Sequence, residues 1–301
     1  MKFYLLKFSV LLLLIVGYHT SYCQTTTASE KRDKTKAKSY FYLGLNFISD
    51  AVYMGRKDSI SAPYAFPSIT YYNKTGLYAT GSLSYLTKSN ESRIDLFLGT
   101  LGYEITTEKF RGDLSVTKYF FNTDSYNVIS EVEADITASA GYDFDVIDVS
   151  LALTTFFNNN SSSDFILSSE ISHNFITKKR DFQISPTVGV FLGSQNFYEE
   201  YYINNRFGSQ RSQGSSSGQG PGGSTTPTTT TVVLNESEKF GLMAFEFSIP
   251  MWYVARPFIL SFLPVLVVPQ NPASLTVDST VFEEDLENTF YWMVGVSYKF
   301  N

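Results

Sequence analysis

Between residues 126 and 144 apolar and polar side chains take turns almost without exception. Val132, Ala134, Ile136, Ala138, Ala140, Tyr142 and Phe144 fall on one face of an extended chain; Glu131, Glu133, Asp135, Thr137, Ser139 and Asp143 fall on the other. A helix would scatter these charges around its circumference, whereas successive side chains of a strand point to opposite faces. The next segment repeats the pattern, with Ile147, Val149, Leu151, Leu153 and Phe157 set against Asp148, Ser150 and Thr154. The same period runs through 40–49, 63–73, 77–88, 93–106, 111–122, 126–144, 146–158, 163–177, 182–204, 238–254, 258–271 and 289–301. That makes about twelve strands, an even number, as expected of a closed antiparallel barrel in a bacterial outer membrane.

The connections test this reading independently. Alternate connections are short: 73–76, 107–110, the bend at Asp145, 178–181 and 255–257. The others include the long ones: 50–62, 158–163, 205–237 and 272–288. Short turns on the periplasmic side and long loops outside are the asymmetry of membrane barrels. Composition agrees. The chain carries 21 Tyr and 26 Phe, only 17% charged residues and a mean hydropathy of −0.07. After the N-terminus no run reaches the roughly 18 apolar residues of a membrane-spanning helix. The expected fold is therefore all-β, an antiparallel transmembrane β-barrel. A soluble sandwich would share the alternation but would not need so many aromatic residues near strand ends.

The N-terminal 23 residues read as a signal peptide. Lys2 and Lys7 begin it, 10–16 is its apolar core, and Ser21 and Cys23 place small side chains before a cut at Gln24. Acylation of Cys23 is the rival reading, and Tyr22 and Thr20 argue against it. Residues 24–38 form a polar leader, and 39–301 the barrel. Cleavage leaves 21 basic and 29 acidic residues, a net charge of −8, which gives no general attraction for nucleic acid. The single Cys leaves with the peptide, so no disulfide or thiolate site is expected. The stretch 208–231, almost wholly Gly, Ser, Thr, Gln and Pro, cannot bury apolar surface; the loop 205–237 is expected to be disordered and extracellular.

The C-terminus carries the most specific local signal. Phe290, Trp292, Val294, Val296, Tyr298 and Phe300 alternate with Tyr291, Met293, Gly295, Ser297 and Lys299. This resembles the terminal strand of outer-membrane barrels, with outward aromatics and a near-terminal Phe, which the barrel-assembly machinery recognises. Phe290, Trp292, Tyr298 and Phe300 are therefore assigned to barrel closure and assembly. Near the other end, Ser49-Asp-Ala-Val-Tyr-Met-Gly-Arg-Lys-Asp58, Pro63-Tyr-Ala-Phe-Pro-Ser-Ile-Thr-Tyr71 and Lys74-Thr-Gly-Leu-Tyr78 resemble the opening of two families of small outer-membrane barrels. One is a scaffold family that interacts with a murein transglycosylase; the other is a porin family. Arg56 follows Gly55 where the first has Ser, and Tyr53 stands in a changed order relative to the second. The resemblance covers about forty residues and implies a barrel more than either function.

Chemistry has few footholds. His173 is the only His after cleavage, and it shares a face with Leu167, Ile171 and Phe175, which suits an interfacial position better than a catalytic base. Asp278, Glu283, Glu284, Asp285 and Glu287 form an acidic loop cluster that reads as solvated surface. Neither a catalytic residue, a metal site nor a cofactor is expected. Glu131, Glu133, Asp135, Asp143, Asp148 and Glu246 fall on lumen-facing positions, where acids would favour cations, unless they pair with inward bases such as Lys299 or Arg93. The expectation is a passive porin-like channel for small solutes in the outer membrane. Lipid and the assembly machinery are its partners, and a closed scaffolding barrel is the alternative.

Overall fold

A computed structural model describes residues 38–58, 61–88, 91–159, 161–198, 232–235, 239–272, 274–277, 280–284 and 286–300. The signal segment, most of the leader and 208–231 lie outside these residues. The strands are β1 (Tyr40–Ile48), β2 (Tyr64–Tyr72), β3 (Leu77–Leu86), β4 (Arg93–Thr106), β5 (Phe110–Phe121), β6 (Val132–Asp143), β7 (Asp148–Asn158), β8 (Asp164–Ser172), β9 (Phe175–Ile176), β10 (Phe182–Ile184), β11 (Thr187–Gly193), β12 (Val232–Asn235), β13 (Gly241–Ser248), β14 (Met251–Ala255), β15 (Phe258–Pro269), β16 (Ser274–Val277), β17 (Thr280–Glu283) and β18 (Thr289–Phe300).

Fifteen of them form one sheet, and the pairing of β13 with β15 closes it into a ring. β8/β9, β10/β11 and β13/β14 are each a single barrel strand in two pieces, so twelve strands surround the lumen, all antiparallel to their neighbours. β18 lies between β1 and β15, joining the two ends of the sequence. Closure removes both sheet edges and satisfies the backbone, the condition for spanning a bilayer with strands.

Two of the interruptions have a chemical cause. Pro186 and Pro250 have no N–H to give to the ladder, so the regular pairing stops beside them. Bonds from Ser185 N–H to the Pro250 carbonyl (2.9 Å) and from His173 N–H to the Pro186 carbonyl (3.2 Å) carry it across the break. The expected continuous strands 182–204 and 238–254 are corrected accordingly, and the first ends at Gly193.

Short turns occupy one end of the barrel. At 73–76 the Asn73 side chain accepts the Thr75 N–H at 3.1 Å, and Gly76 takes φ +102° where an added Cβ would sit 2.3 Å from the Glu104 carbonyl oxygen. Glycine is required there. At the tight bend Asp145 adopts φ 69°, with the Asp143 carboxylate accepting its N–H at 2.7 Å. At the other end, β12, β16 and β17 form a separate three-stranded sheet built from two long loops. This corrects the reading of 205–237 as disordered throughout, since Val232–Asn235 is a strand paired with Ser274–Val277.

The outer wall is apolar. Phe97, Leu101, Leu114, Val116, Ile136, Leu153, Val188, Leu260, Val294 and Val296 are all exposed on it. The inner wall inverts this, burying Thr70, Thr80, Ser82, Ser115, Thr117, Thr137, Ser150 and Thr154. No helix among the described residues is long and apolar enough to cross a membrane.

Candidate functional site: the barrel lumen

Inward side chains alternate along each strand, and they change character along its length. Toward the short turns the wall is hydroxylic and amidic. Thr70 and Thr80 hydroxyls bond at 2.9 Å, Thr100 and Thr117 at 3.0 Å, and Thr137 and Thr154 at 2.9 Å, each pair bridging neighbouring strands. Toward the long loops the wall is apolar: Leu96, Tyr119, Phe156, Ile166, Phe191, Met243, Val265, Val267 and Tyr291.

That apolar wall is not exposed. Met54 of loop 49–63, Val128 of loop 122–131, and Phe197 and Tyr198 after β11 fold against it into one hydrophobic cluster. Tyr53 packs on Phe156 and Phe197 with ring centroids 5.9 and 5.4 Å apart. Met54, Val128 and Phe197 are at most 3% exposed, burial comparable to a soluble core. The outer half of the lumen is therefore occupied by the chain's own loops.

Buried polar groups hold these loops in place. Asp164, fully buried, accepts the backbone N–H of Asn196 and of Phe197, both at 2.8 Å, and the Asn158 amide at 2.8 Å. Asp50 accepts the Ala62 N–H at 2.8 Å, fastening the two ends of the first loop together. Arg56, 1% exposed, donates to the Asn271 carbonyl at 3.0 Å, pairs with Glu284 at 3.3 Å and lies over the Tyr198 ring. Near the rim, Glu91 accepts from the Tyr126 hydroxyl at 2.6 Å and pairs with Lys88 at 3.0 Å, which holds its carboxyl below the usual range. Most of these anchors do not stand out in the sequence, because their partners are distant along the chain or are backbone groups; the Lys88–Glu91 pair is local.

The acids singled out from the sequence fall in different places. Asp135 is inward and fully buried, accepting from Tyr119 at 2.7 Å and Thr137 at 2.9 Å. Asp148 is inward near the short turns; Arg111 pairs with it at 3.2 Å and Asn174 also donates to it. Asp143 stands opposite Asp148 at the start of the bend. Glu246 is inward and 4% exposed. Glu133 is not on the lumen face. β6 carries an extra residue between the pairs Val132↔Asn158 and Ala134↔Phe157, and this bulge turns Glu133 outward, where it pairs with Lys118 at 2.9 Å. Lys118 shares the outer face with Leu114, Val116 and Phe120. Val132 instead points inward into the apolar cluster. Glu131 precedes β6, in a turn, with its carbonyl accepting the Asn159 N–H at 2.9 Å. The continuous stripe of three acids is therefore broken.

Phe290, Trp292, Tyr298 and Phe300 lie on the outer face of β18. Phe290 and Phe300 are exposed, Trp292 packs on Phe47, and Tyr298 packs on Phe258 and Phe300. Lys299 faces inward over the Tyr40 ring, 4.3 Å from its centroid. His173 sits in the break between β8 and β9, with Nδ1 on the Val146 carbonyl and its ring against Phe175. Among the described residues no group of three His, Cys, Asp or Glu side chains could hold a metal ion.

The apolar wall outside and the polar wall within decide the architecture. The chain is a twelve-strand transmembrane β-barrel. No known protein family matches it, and no curated protein does. Among solved structures it is similar to a KdgM porin, at 9% identity and a TM-score of 0.46 over 86% of this chain and 99% of that one. A NanC porin is similar at 9% identity and 0.44, over 86% and 100%. LpxR from Salmonella typhimurium is similar at 11% and 0.43, over 85% and 99%. At this level of likeness the neighbours decide neither a solute nor a reaction for the barrel.

Proposed function

We propose that the barrel is a porin-like passage for small solutes in a bacterial outer membrane, narrowed in its outer half by loops folded inward. The observation that carries this reading is the polar inner wall. A barrel serving only as a structural body has no need of ladders of Thr and Ser hydroxyls lining its lumen, and such groups replace part of the hydration shell of a passing solute. Asp135, Asp148 and Glu246, three of the inward acids, would bias the passage toward cations and neutral solutes. Asp143 would extend the bias to the periplasmic end. Lipid surrounds the outer wall, and the outward aromatics of β18 suit recognition by an assembly machinery.

The apolar cluster of loop residues favours a second reading, a closed scaffolding barrel. One measurement separates the two. The refolded protein in a planar bilayer is expected to give small discrete current steps with a cation-favouring reversal potential in a KCl gradient. A silent bilayer containing correctly folded protein would leave only the scaffold. A lipid-modifying enzyme is the third reading and would rest on His173 as its base; lipid hydrolysis left intact in His173→Ala would remove it.

A further inference from the structure

Arg56 is held in the first long loop by backbone geometry. Tyr53 and Arg56 exchange backbone hydrogen bonds at 2.8 and 2.9 Å around a two-residue turn, in which Met54 takes φ 50° and Gly55 φ 81°. Two successive positive φ values make the turn tight, and glycine lets it press against the end of β15. A Cβ added to Gly55 would lie 2.7 Å from the Pro269 Cβ. Thr289 ties the same turn to β18, donating to the Gly55 carbonyl at 3.3 Å. Met54, two residues before the arginine, and Tyr198, whose ring the guanidinium lies over, both belong to the apolar cluster. The side chain is thus fixed in place before any ligand arrives.

That guanidinium is underused. Its Nη2 serves both acceptors, the Asn271 carbonyl at 3.0 Å and the Glu284 carboxylate at 3.3 Å, while Nε and Nη1 are buried with no hydrogen-bond partner. The N–H on Nε and both on Nη1 are therefore unmet. Such donors are costly on a charge that is 1% exposed, because it gives up hydration and receives nothing in return. Buried groups of this kind are completed by a water or an ion. The pattern of use favours an ion. Nη1 and Nη2 together are a fork shaped for two parallel bonds to an oxyanion, and Glu284 takes only the Nη2 side, at long range. We propose that Arg56 is the binding residue for a small oxyanion, a phosphate or carboxylate, which takes Nη1 and Nη2 as a fork and displaces Glu284 from Nη2. Glu284 is then an internal competitor that holds the guanidinium while the site is empty. The site lies among the outer loops and stands whether or not the barrel passes current, so it goes beyond the channel reading.

Inorganic phosphate is the probe. The refolded full-length protein in zwitterionic detergent is titrated by calorimetry, with ionic strength held constant by sodium chloride. Arg56→Lys and Glu284→Gln are titrated beside it. Glu287→Gln, which removes an exposed acid of the same loop, controls for general charge. Folding of each is checked by its heat-dependent gel migration. Saturable one-to-one binding is expected for the wild type and, unchanged, for Glu287→Gln. Arg56→Lys keeps the charge but loses the fork, and should bind at least about tenfold more weakly. Glu284→Gln removes the competing carboxylate and should bind at least about threefold more tightly. An arginine with a merely structural role would give neither change. Absence of saturable binding, the result if water alone meets the free donors, overturns the site. So does binding left intact in folded Arg56→Lys, or left unchanged or weakened in folded Glu284→Gln. The two variants are independent, so one that fails to fold leaves the other to decide.

Discussion

Asp164 shows what a single buried side chain does in this lumen. Its carboxylate receives two backbone N–H groups and the Asn158 and Asn196 amides, and Ser194 donates to it as well. Replacing it with Ala strands those donors in a place water reaches poorly, at a cost of about 2–4 kcal/mol. Urea unfolding of the refolded barrel in lipid vesicles should show that loss for Asp164→Ala, and a smaller one for Asp164→Asn, which keeps one acceptor oxygen. Gly76 is constrained by backbone instead. An Ala there must hold φ +102° and push against the Glu104 carbonyl, so Gly76→Ala should destabilise by at least about 1 kcal/mol and slow assembly, measured by the appearance of the heat-modifiable band. Gly76 was readable as a turn residue. Asp164 was not, because most of the groups it binds lie some thirty residues further on.

Strands in this barrel are legible by period, and illegible where the period breaks. Most boundaries agree with the alternation to within a few residues, because lipid outside and a polar lumen impose period two on every barrel strand. The bulge at Glu133 adds one residue and reverses the faces above it, and no composition signal marks it. Energetically it exchanges a charge for Val132 in the apolar cluster. On β5, Val116 stands outward between Leu101 and Ile136, while its neighbour Thr117 is inward and buried. Val116→Arg should cost about 2–4 kcal/mol in vesicle unfolding, the penalty for a basic residue against lipid near the midplane. Thr117→Ala, losing hydroxyl contacts to Thr100 and Asp135, should cost about 1 kcal/mol. Equal effects would mean that the faces are assigned wrongly.

At the scale of the whole molecule, closure and filling are separate matters. β18 makes two of the ring's ladders, one with β1 and one with β15, so deleting 289–301 leaves two unpaired edges and should abolish the heat-modifiable band entirely. The filling depends on loop 49–63, whose Met54 and Tyr53 pack against the far wall. Tyr53→Gly combined with Met54→Gly removes much of that packing. Single-channel conductance should then rise several-fold while the barrel remains folded; unchanged conductance would show that current is limited elsewhere.

The sequence by itself determined the barrel, its even strand number, the short and long ends, and the outward face of the final strand. All of these follow from local alternation and turn chemistry, which a linear reading can count. The tertiary structure alone decided what occupies the lumen. Loop residues reach the inner wall across the barrel, and Asp164 and Asp50 find backbone partners at a distance. Alternation specifies which way a side chain points, but what it meets there is set by closure of the ring.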